Sequence, residues 1–249
     1  MTMISSRDYK IVYGELSVGS DLRELGVRFG LKIDTLTSIL HQKIVRETMH
    51  KHHQIQSTAH KLKNTWEQGK TINQIAKEIN YPPVMTAWLI MESKGLSRGV
   101  FRAMLRNPEK IPNKRLKKEI LNAIKEDVVY TPQAIEGQMK RSKMVEEKIR
   151  KWLLKNGMTF IDEKEAKEKN HKKTPDFLLK KPMDFEKQKI RWVECKASFG
   201  DETEVKRDYR KQLRHYVELY GDGIVVYWDG FLEDIKLDNI TLLSDEMFK

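Results

Sequence analysis

Apolar residues in the first half of the chain recur every three or four positions. In residues 20–41 they fall at Leu22, Leu25, Phe29, Leu31, Leu36, Ile39 and Leu40, with Gly26 on the inner face and Gly30 between the two runs. This spacing predicts two short amphipathic helices joined by a tight turn, a helix-turn-helix. Gly30 can take positive φ at the turn, and Asp34 and Thr35 suit the start of the second helix. Residues 6–16 supply a preceding helix. Fifty residues on, Ile72, Ile75, Ala76, Ile79, Asn80 and Tyr81 stand where Leu22, Leu25, Gly26, Phe29, Gly30 and Leu31 stood. Asn follows Gly in tolerance of the left-handed conformation, so the echo predicts two units in tandem. After Pro82-Pro83, Ala87, Trp88, Leu89 and Ile90 mark the buried side of the next helix. Another helix opens at Ile111-Pro112-Asn113, with Leu116, Ile120, Ala123 and Ile124 inward and Lys114, Arg115, Lys117 and Lys118 outward. Residues 128–132 break the pattern and read as a linker.

The second half changes style. Residues 143–156 form a helix that ends at Gly157, followed by a short strand at 159–161 and a charged connection to His171. Within the stretch from Lys172 to Gly200, residues 174–179 and 190–200 read as the two strands of a hairpin, and the charged residues 180–189, with Pro182, as the polar turn between them. Residues 205–220 form a helix, and the apolar run 223–228 a buried strand. The resulting α-β-β-β-α-β order predicts a mixed sheet flanked by helices, an α/β core preceded by all-α tandem helix-turn-helix units. The expected domains are residues 1–56, 57–140 and 141–249.

Charge separates the halves. Residues 1–141 carry 24 Lys+Arg against 14 Asp+Glu, and residues 142–249 carry 23 against 22, so the excess positive charge of the chain sits almost wholly in front. A polyanion is the partner such a surface suits, with a merely solvated basic face as the bland reading. No apolar run reaches the length of a membrane span and residues 1–8 lack a hydrophobic signal core, so the expectation is an intracellular protein without a membrane partner. Cys195 is the single cysteine, which excludes an internal disulfide or a cysteine-rich zinc site. His50 and His53 could share a helical face, but no Asp or Cys joins them at ligand spacing.

The candidate chemistry sits in the hairpin. Alternation along the strand sends Glu194 and Lys196 to one face and Val193 and Cys195 to the other. Asp176, at the start of the partner strand, can stand beside Glu194 at cross-strand distance. Glu-x-Lys occurs five times in the chain, yet only the copy at Glu194 lies in a clear strand, and Pro175-Asp176 is the only Pro-Asp dipeptide. The joint placement carries the weight. The alternative reading is an ion pair on a half-exposed strand with Asp176 as its cap.

Pro175-Asp176 with Glu194-Cys195-Lys196 resembles the two motif elements of the PD-(D/E)XK nuclease superfamily. Within it, Thr174-Pro175-Asp176, residues 192–201 and Val226-Tyr227-Trp228 are similar to the TPD family, which also places helix-turn-helix units ahead of its nuclease domain. Gln212 with Tyr216 resembles the Gln-x-x-x-Tyr element of RecB-like members, and Glu146 stands where such nucleases place a further acid on their first helix. Asp229, directly after Tyr227-Trp228, is a departure. The resemblance implies a nuclease, most simply an endonuclease, that hydrolyses DNA phosphodiesters with Mg²⁺, for which Mn²⁺ substitutes. Asp176, Glu194 and the backbone carbonyl of Cys195 would be metal ligands, since Mg²⁺ prefers hard oxygens, and Glu146 would complete the shell through water or hold a second ion. Lys196 would orient or help deprotonate the attacking water and stabilise the transition-state charge, and Gln212 would orient a phosphate or water. On the helix after Gly30, Thr35, Ser38, Gln42 and Lys43 are candidates for nucleic-acid contact, with Lys114, Arg115, Lys117 and Lys118 as a second phosphate-facing surface. Two alternatives stay open: a DNA-binding adaptor or regulator with a non-catalytic nuclease-like domain, and a nuclease acting on RNA. A homodimer and a protein partner on the helical half are further partner expectations. The compartment would be the cytoplasm or nucleoid, or the nucleus in a eukaryote.

Overall fold

The computed structural model describes residues 3–162, 165 and 173–248, so His171 and Lys172 and most of the charged connection before them lie outside the described residues. The chain gathers into two compact units, Met1–Leu40 together with Met139–Lys249, and His41–Gln138. These limits differ from the three expected stretches: residues 1–40 fall in the same unit as the sheet.

In the first unit, β1 (Met3–Ile4), α1 (Ser6–Glu15) and α2 (Leu22–Phe29) lead into α3 (Ile33–Ser57). Asp21 caps α2 by accepting from the amides of Arg23 and Glu24. Gly30 ends α2 at φ 64°, and the Leu31 amide reaches back to the Gly26 carbonyl at 2.9 Å. The helix after the turn runs for 25 residues, far longer than the short helix expected, and contributes to both units. α9 (Pro132–Lys155) does the same: it opens at the proline, with the Thr131 hydroxyl accepting from the Ala134 amide. The break at 128–132 is therefore short, and residues 132–142 are helical.

A five-stranded sheet follows, in the order β2 (Phe160–Asp162), β3 (Phe177–Phe185), β4 (Gln188–Lys196), β5 (Gly223–Tyr227) and β7 (Ile240–Leu243). β2, β3 and β4 pair antiparallel, whereas β4, β5 and β7 pair parallel. The charged residues 180–189 are mostly strand, a correction to the polar turn expected there; the hairpin turns at Glu186, which takes φ 52°. Among the described residues, β2 pairs with β3 at residues 177–179 and the Lys180 amide donates to the Thr159 carbonyl at 2.8 Å, and beyond them no strand pairs with that side of β3. Pro182 sits there, at a register shift between Leu178 and Met183, where its missing N–H costs the ladder little. One face of the sheet packs Phe177, Val193, Ile224 and Val226 against Val145, Ile149 and Leu153 of α9. The other packs Trp192, Val225 and Tyr227 against Val205, Leu213 and Tyr216 from α10 (Glu202–Asp208), a π-helical turn (Tyr209–Leu213) and α11 (Arg214–Tyr220). At Gly223 a Cβ would lie 1.9 Å from the Trp192 ring, so only glycine lets the indole cross β5. β1 pairs in parallel with β6 (Phe231–Leu232), and Thr35 of α3 donates to the Asp229 carbonyl, which joins the N-terminal helices to the end of the sheet.

The second unit is helical: α4 (Ala59–Glu67), α5 (Ile72–Glu78), α6 (Pro83–Ser93), α7 (Arg98–Arg106) and α8 (Lys114–Glu126), with the adjoining parts of α3 and α9. The turn after α5 repeats the turn after α2. Asn80 takes φ 46°, and the Tyr81 amide reaches the Ala76 carbonyl at 3.0 Å. Buried Glu119 accepts from the Trp66 indole at 2.8 Å and the Ile72 amide at 2.9 Å, while Asp127 accepts from the Val84 amide at the start of α6.

Candidate active site

Four side chains meet at the C-terminal end of β4. The register pairs Phe177 with Val193, which puts Asp176 opposite Glu194 as the alternation predicts. The Asp176 Oδ2 accepts from the Cys195 amide at 2.7 Å, and the Glu194 Oε2 accepts from the Asp176 amide at 3.3 Å. Each carboxylate is thus oriented by the other strand's backbone. Lys196 Nζ donates to Glu194 Oε1 at 2.8 Å and to Gln212 Oε1 at 2.7 Å. Gln212 comes from the π-helical turn, whose extra residue interrupts what the periodicity reads as one continuous helix.

The electrostatics follow from burial. Glu194 is only 5% exposed, and loss of water together with the charge of Asp176 pushes its carboxyl up to about 7 against the opposing pull of Lys196. Asp176 is raised too, first by burial and also by Glu146, against the Cys195 amide and the Lys196 charge. Burial pulls Lys196 down, but Glu194, Asp208 and Asp176 together outweigh it and hold the ammonium above its ordinary value. The Cys195 thiol is raised well above the usual range by burial and the neighbouring carboxylates, so it is no thiolate nucleophile.

Around this centre the supports are specific. Tyr216 donates to the Thr174 carbonyl at 2.9 Å and Tyr220 to the Lys173 carbonyl at 2.8 Å, which pins the chain just before Pro175-Asp176. The Tyr216 ring also meets Trp192 edge-on at 5.3 Å. Asp208 is a residue the sequence reading missed: it is buried, accepts from the Tyr227 hydroxyl at 3.0 Å and contributes to holding the Lys196 charge. Its signal was its place four residues before Gln212 on the same helical stretch. Asp229 forms an ion pair with Arg141, which also reaches Asp34 at 3.3 Å, so the departure from the family pattern serves to anchor α9 and α3.

The remaining expected residues divide. Glu146 is within electrostatic reach of Asp176, but its carboxylate is half-exposed and lies 3.5 Å from Arg150. Among the described residues no three His, Cys, Asp or Glu side chains gather at metal-ligand distance, so any metal at this site would rest on Asp176, Glu194 and backbone or water oxygens. Those residues fit such an ion: two hard carboxylates held side by side, each raised by burial, form the pair that a divalent cation would relieve. Thr35 is fully buried, and the Ser38 hydroxyl accepts from the Phe199 amide at 2.9 Å, so both are engaged inside the first unit. Gln42 and Lys43 are half-buried on α3. On α8, Arg115 is turned to Glu119 and to the Trp66 and Lys70 carbonyls, and Lys117 pairs with Glu109, while Lys114 and Lys118 are exposed.

Residues 112–247 match the family model described as "Protein of unknown function TPD sequence-motif". CDAN1-interacting nuclease 1 of Mus musculus is 33% identical over 233 residues, which cover 86% of this chain and 82% of the relative. The human protein of the same name is 32% identical over 235 residues, with the same two shares. No solved structure matches the chain. The match to the family model spans more than half of the chain and contains the whole Asp176, Glu194, Lys196 and Gln212 cluster: the chain belongs to the TPD family.

Proposed function

We propose that this chain is a metal-dependent nuclease of the PD-(D/E)XK type that hydrolyses DNA phosphodiesters. The observation that carries the reading is the apposition of Asp176 and Glu194 at facing strand positions, with the Lys196 ammonium held between Glu194 and Gln212. The nuclease named among its relatives supports it. Asp176, Glu194 and the Cys195 carbonyl would hold Mg²⁺ or Mn²⁺, which supplies an acidified water and charge neutralisation at the phosphate. The protein's own groups do the rest. Lys196 stays cationic, so its part is to stabilise the charge that develops on the phosphate rather than to act as the base. Gln212 spends its carbonyl on Lys196 and keeps its amide N–H groups for a phosphate oxygen or water. Glu146 stands at the margin, where a water-mediated role suits its exposure. The relatives' name also contains a protein partner, CDAN1, so a protein that docks on the helical segments is a second part of the proposal.

Incubation with closed-circular, linear and single-stranded DNA and with RNA, with and without Mn²⁺, tests the reading. Metal-dependent DNA products are expected, and Asp176→Ala or Lys196→Ala should reduce cleavage at least about a hundredfold while leaving DNA binding in place. Cleavage by either variant at the wild-type rate would remove the proposed site. Products from RNA alone would reassign the substrate.

A further inference from the structure

A chain that cuts nucleic acid must also hold it, and in the unit His41–Gln138 the helix after the repeated turn is not built to do so. α6 buries Val84, Thr86, Ala87, Leu89, Ile90 and Met91 and contains no Lys or Arg. α7 has the opposite character. It buries Phe101 and Leu105 and exposes Arg98, Arg102 and Arg106, four residues apart on one side. At about 1.5 Å of rise per residue the three guanidiniums follow one another at intervals of about 6 Å along the axis. Among the described residues none of the three is held in an ion pair.

Arg98 also borders a cavity of about 610 Å³ whose wall includes His52, His53, Met85, Trp88 and Tyr130. The wall is preorganised: the Trp88 ring rests on Phe101 at 5.4 Å, and the His52 ring is held 2.8 Å from the Tyr81 hydroxyl. Among the described residues that line it, Glu92 is the one acid. The unit as a whole carries 17 Lys+Arg against 9 Asp+Glu and five of the chain's seven histidines.

We infer that α7 and this cavity form a binding site for a single-stranded stretch of nucleic acid. Arg98, Arg102 and Arg106 neutralise successive phosphates, and an unpaired base enters the cavity beside Trp88, Tyr130 and the two imidazoles. The volume suits a ligand of nucleotide size, and aromatic faces next to a cationic track are what stacking of unpaired bases requires. A base inside a duplex is already stacked and cannot enter, so the site selects an unpaired segment. The inference rests on the nucleic-acid reading proposed above.

The test is fluorescence anisotropy of the full chain with a fluorescein-labelled oligothymidylate of about a dozen residues, the length one such site spans, in EDTA so that hydrolysis plays no part. Replacing the three exposed arginines together, R98A/R102A/R106A, should weaken binding at least about tenfold and lower the slope of log affinity against log salt by about 2. An abasic strand of equal charge should bind the wild type several-fold more weakly, and Trp88→Leu should abolish that difference in protein that circular dichroism shows still folded at the assay temperature, although the lost packing on Phe101 lowers its melting temperature. Wild-type affinity and salt slope in the arginine variant would overturn the phosphate track, and equal affinity for the abasic strand would overturn the base cavity. A polyglutamate peptide that binds more tightly than the oligothymidylate would reassign the surface to an acidic protein. Mn²⁺-dependent plasmid cleavage is read separately: cutting without this binding sinks the site and leaves the nuclease standing, and binding without cutting does the reverse.

Discussion

Lys196 illustrates how much one side chain depends on its surroundings. In the sequence it is the last member of a Glu-x-Lys that occurs five times, and its protonation is undetermined. In the fold, Glu194, Asp208 and Asp176 together overcome the cost of burying it and keep it charged, the state on which the electrostatic part proposed for it depends. Tyr216, marked in the sequence by a family likeness, supports the same site. Its hydroxyl holds the Thr174 carbonyl two residues before Asp176. Tyr216→Phe keeps the ring against Trp192 and removes the hydrogen bond to Thr174, so stability should fall by about 1 kcal/mol. Cleavage should slow by about tenfold, well short of the Asp176→Ala loss, because the carboxylate is loosened and not removed. Thermal melts and single-turnover rates on one DNA substrate check both.

Among the elements, the repeated turn was read correctly because its signal is local. Gly30 and Asn80 both take positive φ, and the buried Leu31 and Tyr81 each reach back to a carbonyl five residues earlier. Asn80→Ala should cost about 1 kcal/mol, whereas Asn80→Gly should stay within about 0.5 kcal/mol, as measured by denaturant midpoints. Where elements end was legible only in part. β3 runs through the charged residues 180–185 because an open edge tolerates lysines and a proline that a central strand would not. The 25 residues of α3 exceed the expected helix because no capping signal ends the pattern near His41. Gln212 was found, but the π-helical turn that aims it was not, since a single extra residue leaves no mark in the periodicity.

For the whole molecule, the buried carboxylate pair links stability to pH and to metal. The folded Glu194 holds its proton up to about 7, against an ordinary 4.5 in the unfolded chain, so between those values the folded state binds more protons. Its contribution to stability is therefore present at low pH and is lost as pH rises through about 7, and Asp176, also raised, adds with the same sign. In EDTA the melting temperature should fall between pH 5.5 and 7.5, and Glu194→Gln should flatten that fall. Mg²⁺ or Mn²⁺ should restore it, and more so above pH 7, where both carboxylates are charged. A wild-type profile in the Gln variant would detach the effect from this site. No helix among the described residues is long and apolar enough to cross a membrane, in keeping with the polar composition.

By itself the sequence determined the tandem turns, the α/β order of the second half and the apposition of Asp176, Glu194 and Lys196. Each of these depends on neighbours along the chain or on a single strand pairing, and periodicities of two and of 3.6 report such relations directly. Only the tertiary structure decided that Thr35 and Ser38 face inward, that Asp229 anchors Arg141, and that Asp208 stands behind Lys196. Those outcomes join residues more than 80 positions apart or, for Asp208 and Lys196, a strand and the helix packed on its face, and they depend on burial, which no local pattern encodes. The charge of the site was settled in the same way: the amino acids name the ionisable groups, and the water excluded around them sets which ones keep their protons.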